Sequence, residues 1–134
     1  MNKKILIVHT SWYKDYISEM LSISKEILED FDCTFAVAPG ALELASLASH
    51  KILNFPFKGV LFLGIVIRGE TSHYDLVTQE TFRSISNLSI NNCGVAFINN
   101  VICVENKKQL EARLVKNTSN NAKALIQLIN EKSS

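Results

Sequence analysis

Short runs of consecutive apolar residues alternate along this chain with longer segments in which apolar residues recur every three or four positions. Ile5-Leu6-Ile7-Val8 is the first run. Apolar side chains at successive positions bury both faces of a strand, as happens inside a parallel sheet. Ile17, Met20, Leu21, Ile27 and Leu28 then fall on one helical face, and this helical region ends at Asp32. Thr34-Phe35-Ala36-Val37 predicts a second strand, which Pro39-Gly40 breaks. A helix rich in Ala and Leu follows from Ala41 to Asn54.

Pro56 and Gly59 punctuate the next connection, and Val60 to Ile67, β-branched and apolar on both faces, is the strongest strand signal. Helix resumes near Tyr74, with Val77, Phe82, Ile85 and Leu88 facing inward. Gly94 introduces a fourth strand from Val95 to near Ile98, and Asn99 to Val104 reads either as its continuation or as loop. Asn106 caps a helix running to near Val115. After a turn, a last helix carries Ala122, Leu125, Ile126 and Ile129 on one stripe. Strand and helix thus alternate from end to end, which predicts an α/β fold on a four-stranded parallel sheet with right-handed crossovers.

The 134 residues suit a single domain spanning 1–134, and a chain 47% hydrophobic and 20% charged can fill one core. A net charge of +1 with scattered Lys and Arg predicts no nucleic-acid and no membrane partner. Cys33, Cys93 and Cys103 are too few and too dispersed for a disulfide framework or a zinc site. The lysines before Ile5 mimic a secretory leader, but the apolar run stops at His9, too early for its apolar segment. No apolar run reaches membrane-spanning length. The expected location is cytoplasmic.

In open parallel sheets ligands bind beyond the carboxyl ends of the strands, which directs attention to three turns. The first is His9-Thr10-Ser11-Trp12-Tyr13-Lys14. Its indole can stack on a flat heterocycle or simply pack on its own helix. The second is Ala38-Pro39-Gly40-Ala41-Leu42-Glu43, a sharp strand-to-helix turn that exposes backbone N–H groups. Glu43 suits a helix start by its charge alone, and it can also accept hydrogen bonds from the hydroxyls of a polyol. The third turn, Arg68-Gly69-Glu70-Thr71-Ser72-His73, is the most informative. Gly69 lets backbone N–H groups approach an anion, Thr71 adds a hydroxyl, and an imidazole can move protons at neutral pH. All three turns share one end of the sheet, which favours a small-molecule site holding a phosphate.

Pro39-Gly40-Ala41-Leu42-Glu43 and Gly64-Ile65-Val66-Ile67-Arg68-Gly69-Glu70-Thr71-Ser72-His73 resemble the hallmarks of the lumazine synthase family, Pro-Gly-Ala-aromatic-Glu and Gly-x-Val-Ile-Arg-Gly-x-Thr-x-His. Weaker similarity runs from Lys4 to the final helix. The resemblance implies a flavodoxin-like, three-layer α/β/α sandwich. It also implies the condensation of 5-amino-6-ribitylaminouracil with 3,4-dihydroxy-2-butanone 4-phosphate to dimethyl-ribityllumazine, phosphate and water, the penultimate step of riboflavin synthesis, with no metal and no organic cofactor. His73 resembles the general base or proton shuttle. Gly69, Glu70 and Thr71 resemble the phosphate turn, with the Glu70 carboxylate expected to point away from the anion. Trp12, or Tyr13 if the turn gains a residue, resembles the aromatic that stacks on the uracil. Ala41, Leu42 and Glu43 correspond to the turn holding the ribityl chain, and Val66 and Ile67 to the strand end touching the pyrimidine through its backbone. Phe97 resembles the aromatic that closes a neighbouring subunit's site. Arg113, on a Glu-Asn-x-x-Gln helix beginning at Glu105-Asn106, resembles the phosphate-binding Arg.

The family site lies between adjacent subunits, so the resemblance implies a homopentamer or a larger shell. It also offers riboflavin synthase as a protein partner. Three features depart from the pattern. The expected Gly-Thr-Lys-Ala-Gly-Asn-Lys-Gly turn before the last helix reads Val115-Lys116-Asn117-Thr118-Ser119-Asn120-Asn121-Ala122, so the substrate-touching Lys falls on Asn121. About two additional residues separate Phe97 from Glu105. The N-terminal segment that often joins a neighbour's sheet has no counterpart before the first strand, which favours a pentamer without a capsid. The missing Lys-bearing turn leaves an alternative, a non-catalytic relative that binds a flavin or lumazine or acts as an assembly scaffold.

Overall fold

The computed structural model describes residues 2–134. Strand β1 (Lys4–Thr10) leads through helix α1 (Lys14–Ile27) to β2 (Asp32–Ala38), then through α2 (Leu44–Asn54) to β3 (Gly59–Ile67). Helix α3 (Tyr74–Asn91), β4 (Ala96–Val104) and α4 (Lys107–Lys132) complete the order. The four strands pair in the order β2-β1-β3-β4 and every pair is parallel.

All nine residues of β3 are buried, because β3 is central and covered on both faces. Side-chain alternation divides its contacts. Leu61, Leu63, Ile65 and Ile67, with Ile5 and Ile7 of β1, pack with Ile17 and Met20 of α1 and Leu110, Leu114, Leu125 and Ile129 of α4. Val60, Phe62 and Val66, with Leu6 and Val8, pack with Leu44, Ala45 and Ala48 of α2 and Ile85 and Leu88 of α3. The result is the expected α/β/α sandwich of flavodoxin type. Truncating a fully buried central side chain such as Leu63 should cost about 2–5 kcal/mol. Gly59 lets α4 pack closely on the start of β3: a Cβ there would lie 2.9 Å from Cδ1 of Ile129 and 3.0 Å from Cδ1 of Leu125, so those side-chain ends would have to shift.

The structure corrects several expected boundaries. Asp32 begins β2 rather than ending a helix. A 3-10 turn, Ala41–Glu43, precedes α2. Phe82, expected to face inward, is exposed on α3. Asn99 to Val104 continues β4, and β4 pairs one-to-one with β3 from Gly59↔Ala96 to Ile67↔Val104. No bulge absorbs the additional residues inferred between Phe97 and Glu105.

The largest correction concerns the end of the chain. The two helices and intervening turn expected there are one helix of 26 residues, about 39 Å long at 1.5 Å per residue. Val115–Ala122 contains neither Gly nor Pro, so nothing in it forces a break. Leu110, Leu114, Thr118, Ala122, Leu125 and Ile129 form one uninterrupted buried stripe. Thr118 hides that stripe in the sequence because it is polar. Its hydroxyl accepts from Nδ2 of Asn100 in β4 at 3.0 Å, so burial leaves it satisfied.

Candidate active site

The carboxyl ends of β1, β2 and β3 open onto a cleft of about 420 Å³ lined by Trp12, Tyr13, Gly40, Ala41, Ile65, Val66, Glu70, Thr71, Ser72 and Val77. Residues from all three predicted turns therefore meet in one place. Trp12 follows β1, and its Nε1 donates to the carbonyl of Pro39 at 3.0 Å, tying the first turn to the second. The ring edge is pinned while the side chain stays 66% exposed, which leaves a π-face for a flat ligand.

Two residues beside the cleft adopt left-handed backbone conformations: Tyr13 at φ 60° and His73 at φ 57°. Neither is glycine, and both occupy the position just before a helix, α1 and α3 respectively. Such conformations are uncommon for residues other than Gly, Asn, Asp and His, which makes Tyr13 the greater outlier of the two, and they collect where surrounding structure holds a functional geometry. The His73 side chain does not cap α3, and the residue is exposed at the cleft's flank. With no side-chain cap, the first N–H groups of α3 are available to an anion.

Arg68 is occupied. Its Nε donates to Glu105 at 2.8 Å, its guanidinium lies 3.3 Å from Asp75, and it stacks over the Tyr74 ring at 4.2 Å. Arg68 therefore staples the end of β3 to the first turn of α3 and to the residue after β4. Glu105, the first cause, holds the guanidinium pKa above its ordinary value. Across the cleft, the Tyr13 hydroxyl donates to Oε1 of Glu70 at 3.3 Å. Burial, then the charge and hydrogen bond of Glu70, raise the Tyr13 pKa, which keeps the phenol a donor.

Of the residues expected at the site, Trp12, Ala41, Val66, Glu70 and Thr71 line the cleft. Leu42 and Glu43 lie on the adjoining 3-10 turn with exposed side chains, and Gly69 is exposed in the turn beside Glu70. Ile67 is 1% exposed, so its side chain belongs to the core. Two positions stand apart. Phe97 is 6% exposed, pairs with Val60 at the amino end of β3 and stacks on Phe62 with ring centroids 6.4 Å apart. This is the far end of the sheet, and the ring is spent on this chain's own core. Arg113 is exposed on α4 and does not line the cleft. Ser72, Ile65 and Val77 line it without having been singled out. Ser72 was legible as part of the third turn, whereas Val77 carried only the signal of a helix core position. Among the described residues no group of His, Cys, Asp and Glu is arranged to hold a metal.

With that geometry in hand, comparison with known proteins is specific. The profile of the 6,7-dimethyl-8-ribityllumazine synthase family matches residues 2–133. Proteins named 6,7-dimethyl-8-ribityllumazine synthase from Methylobacillus flagellatus and Bordetella petrii are 36% identical over 101 residues and 38% identical over 86 residues. These alignments cover 75% and 64% of this chain, and 67% and 49% of the relatives. 6,7-dimethyl-8-ribityllumazine synthase 1 of Rhizobium meliloti is 34% identical over 116 residues, covering 81% of this chain and 75% of its own. The aligned segments thus span about half to three quarters of these relatives.

Proposed function

The chain belongs to the 6,7-dimethyl-8-ribityllumazine synthase family, and we propose that it is the transferase that condenses 5-amino-6-(D-ribitylamino)uracil with 3,4-dihydroxy-2-butanone 4-phosphate, releasing phosphate and water. The observation that carries this reading is the meeting of the three strand-end turns in one cleft. Trp12 offers the face for the pyrimidine, and the backbone near Val66 offers its edge partners. The Ala41–Glu43 turn receives the ribityl hydroxyls. Gly69, Thr71 and the uncapped start of α3 bind the phosphate. His73 stands beside that turn as the proton shuttle for imine formation, phosphate loss and ring closure.

Arg113 completes the phosphate clamp from an adjacent subunit in this reading. An exposed Arg113 outside the lining of its own chain's cleft is compatible with a shared site, and the exposed Leu53, Leu76, Phe82 and Ile90 on α2 and α3 offer apolar surface of the kind that packs between subunits. We assign a homopentamer, acting in the cytoplasm and passing its product to riboflavin synthase.

The test is to mix purified protein with both substrates and follow lumazine absorbance and fluorescence against a blank without enzyme. Product above the blank that is lost in His73→Ala supports the synthase reading, and a folded protein giving none overturns it. Sedimentation checks the assembly, since a monomer would remove the shared site.

A further inference from the structure

The cleft contains one feature that the three turns do not explain by themselves. Glu70 contributes its backbone to the turn assigned to phosphate, yet its side chain is an acid. A carboxylate free to swing toward a bound phosphate would repel it. The structure shows where that carboxylate goes: it accepts from the Tyr13 hydroxyl, 57 residues away in sequence, at 3.3 Å. Tyr13 sits on the turn after β1 and Glu70 on the turn after β3, and these strands are neighbours in the sheet. The bond therefore crosses the mouth of the cleft and draws the acid toward the β1 side.

Tyr13 holds this place in a left-handed conformation, φ 60° and ψ 55°. An aromatic residue tolerates that region poorly, and Asn or Gly would occupy it at lower cost. A costly backbone conformation retained by a tyrosine points to a use for its side chain. Stacking on the ligand is not that use, because Trp12 already offers an exposed face while the Tyr13 hydroxyl is turned to Glu70.

We propose that Tyr13 is a positioning residue that holds the Glu70 carboxylate away from the phosphate turn and so sets the affinity of the site for phosphate-bearing substrate. The inference rests on the assignment of the Gly69–Thr71 turn to phosphate. The raised pKa of Tyr13, caused first by burial and then by Glu70, agrees with it, since the phenol keeps its proton throughout the neutral range.

Tyr13→Phe removes the hydroxyl and keeps the ring and its backbone demand. It should raise KM for the butanone phosphate about fivefold, with the effect shrinking at high salt and leaving kcat and KM for the aminouracil in place. In a Glu70→Gln background the same substitution should do nothing further. A purely structural role would instead lower kcat and move both KM values together, with or without the acid at position 70.

A second readout does not require turnover. Trp12 is the only tryptophan in the chain and lines the cleft, so its emission can follow titration with inorganic phosphate. The Kd should weaken about fivefold in Tyr13→Phe and not in the double variant. No phosphate binding, or equal binding by wild type and Tyr13→Phe, overturns the proposal. Phosphate binding that depends on Tyr13 in a protein that makes no lumazine would instead sink the synthase reading and leave this inference standing.

Discussion

Nδ2 of Asn121 donates to Oδ1 of Asn100 over 2.7 Å, and Nδ2 of Asn100 donates in turn to Oγ1 of Thr118 over 3.0 Å. Asn100 is 2% exposed in β4, and Thr118 is fully buried in α4. The pair of bonds locks the middle of the long helix onto the edge strand. The position that should carry Lys carries Asn121, and that amide faces inward to the sheet. Asn121 is thus hydrogen-bonded within one continuous helix, where the resemblance implies a turn.

Asn100→Ala should accordingly destabilise the fold by about 1–3 kcal/mol, because it strands the Thr118 and Asn121 partners away from water. A shift in the urea midpoint at unchanged slope would measure it. No shift would mean that the two bonds contribute nothing to holding α4 in place.

The helix also shows where sequence reasoning stops. The runs at Ile5–Val8 and Val60–Ile67 announced a parallel sheet, because short, largely β-branched apolar runs bounded by turn residues fit strands buried on both faces. The three turns were legible because this topology exposes strand ends. By contrast, Thr118 interrupts an apolar stripe in the sequence though not in space, since its partner Asn100 is 18 residues away. The Tyr13–Glu70 and Arg68–Glu105 pairs reach further still, across 57 and 37 residues. Charge and hydrogen-bond partners across a cleft leave no periodicity behind, so Arg68 could not be seen to be already occupied. Phe97 was read from local resemblance, and its burial against Phe62 follows from register.

His73→Asn tests proton transfer more cleanly than His73→Ala. Residue 73 holds a left-handed conformation at φ 57°, which Asn tolerates and Ala does not. Turnover should fall about 100-fold or more, while the Kd of a product analogue, read from Trp12 emission, stays within about twofold. Equal losses in turnover and binding would assign His73 to binding rather than proton transfer.

Arg113 is exposed and makes no ion pair among the described residues, so Arg113→Ala should leave stability within about 0.5 kcal/mol. KM for the butanone phosphate should rise about tenfold or more, as expected for a lost charge-assisted hydrogen bond. If the site is shared between subunits, co-refolding Arg113→Ala with His73→Asn should restore part of the activity that each variant lacks. Restoration of none would place Arg113 outside the neighbour's cleft.

The cysteines offer a test at alkaline pH. Burial pushes the Cys103 thiol up to about 11 from an ordinary 9.0, and its Sγ lies 3.9 Å from the carbonyl of Val101. At pH 8 only about one Cys103 in a thousand is thiolate, against roughly one in ten for an ordinary thiol, and the thiolate is the reactive form. Iodoacetamide should therefore label exposed Cys93 first and leave Cys103 intact, as peptide mapping would show. The folded state favours the neutral thiol, so this group's contribution to stability is complete below pH 9 and is lost as pH climbs through about 11. Cys103→Val should flatten the alkaline fall in stability over that window. Rapid labelling of Cys103 at pH 8 would show that the open groove it lines with Tyr74, Thr78, Gln79 and Phe82 admits the reagent and that partial burial does not suppress the thiolate.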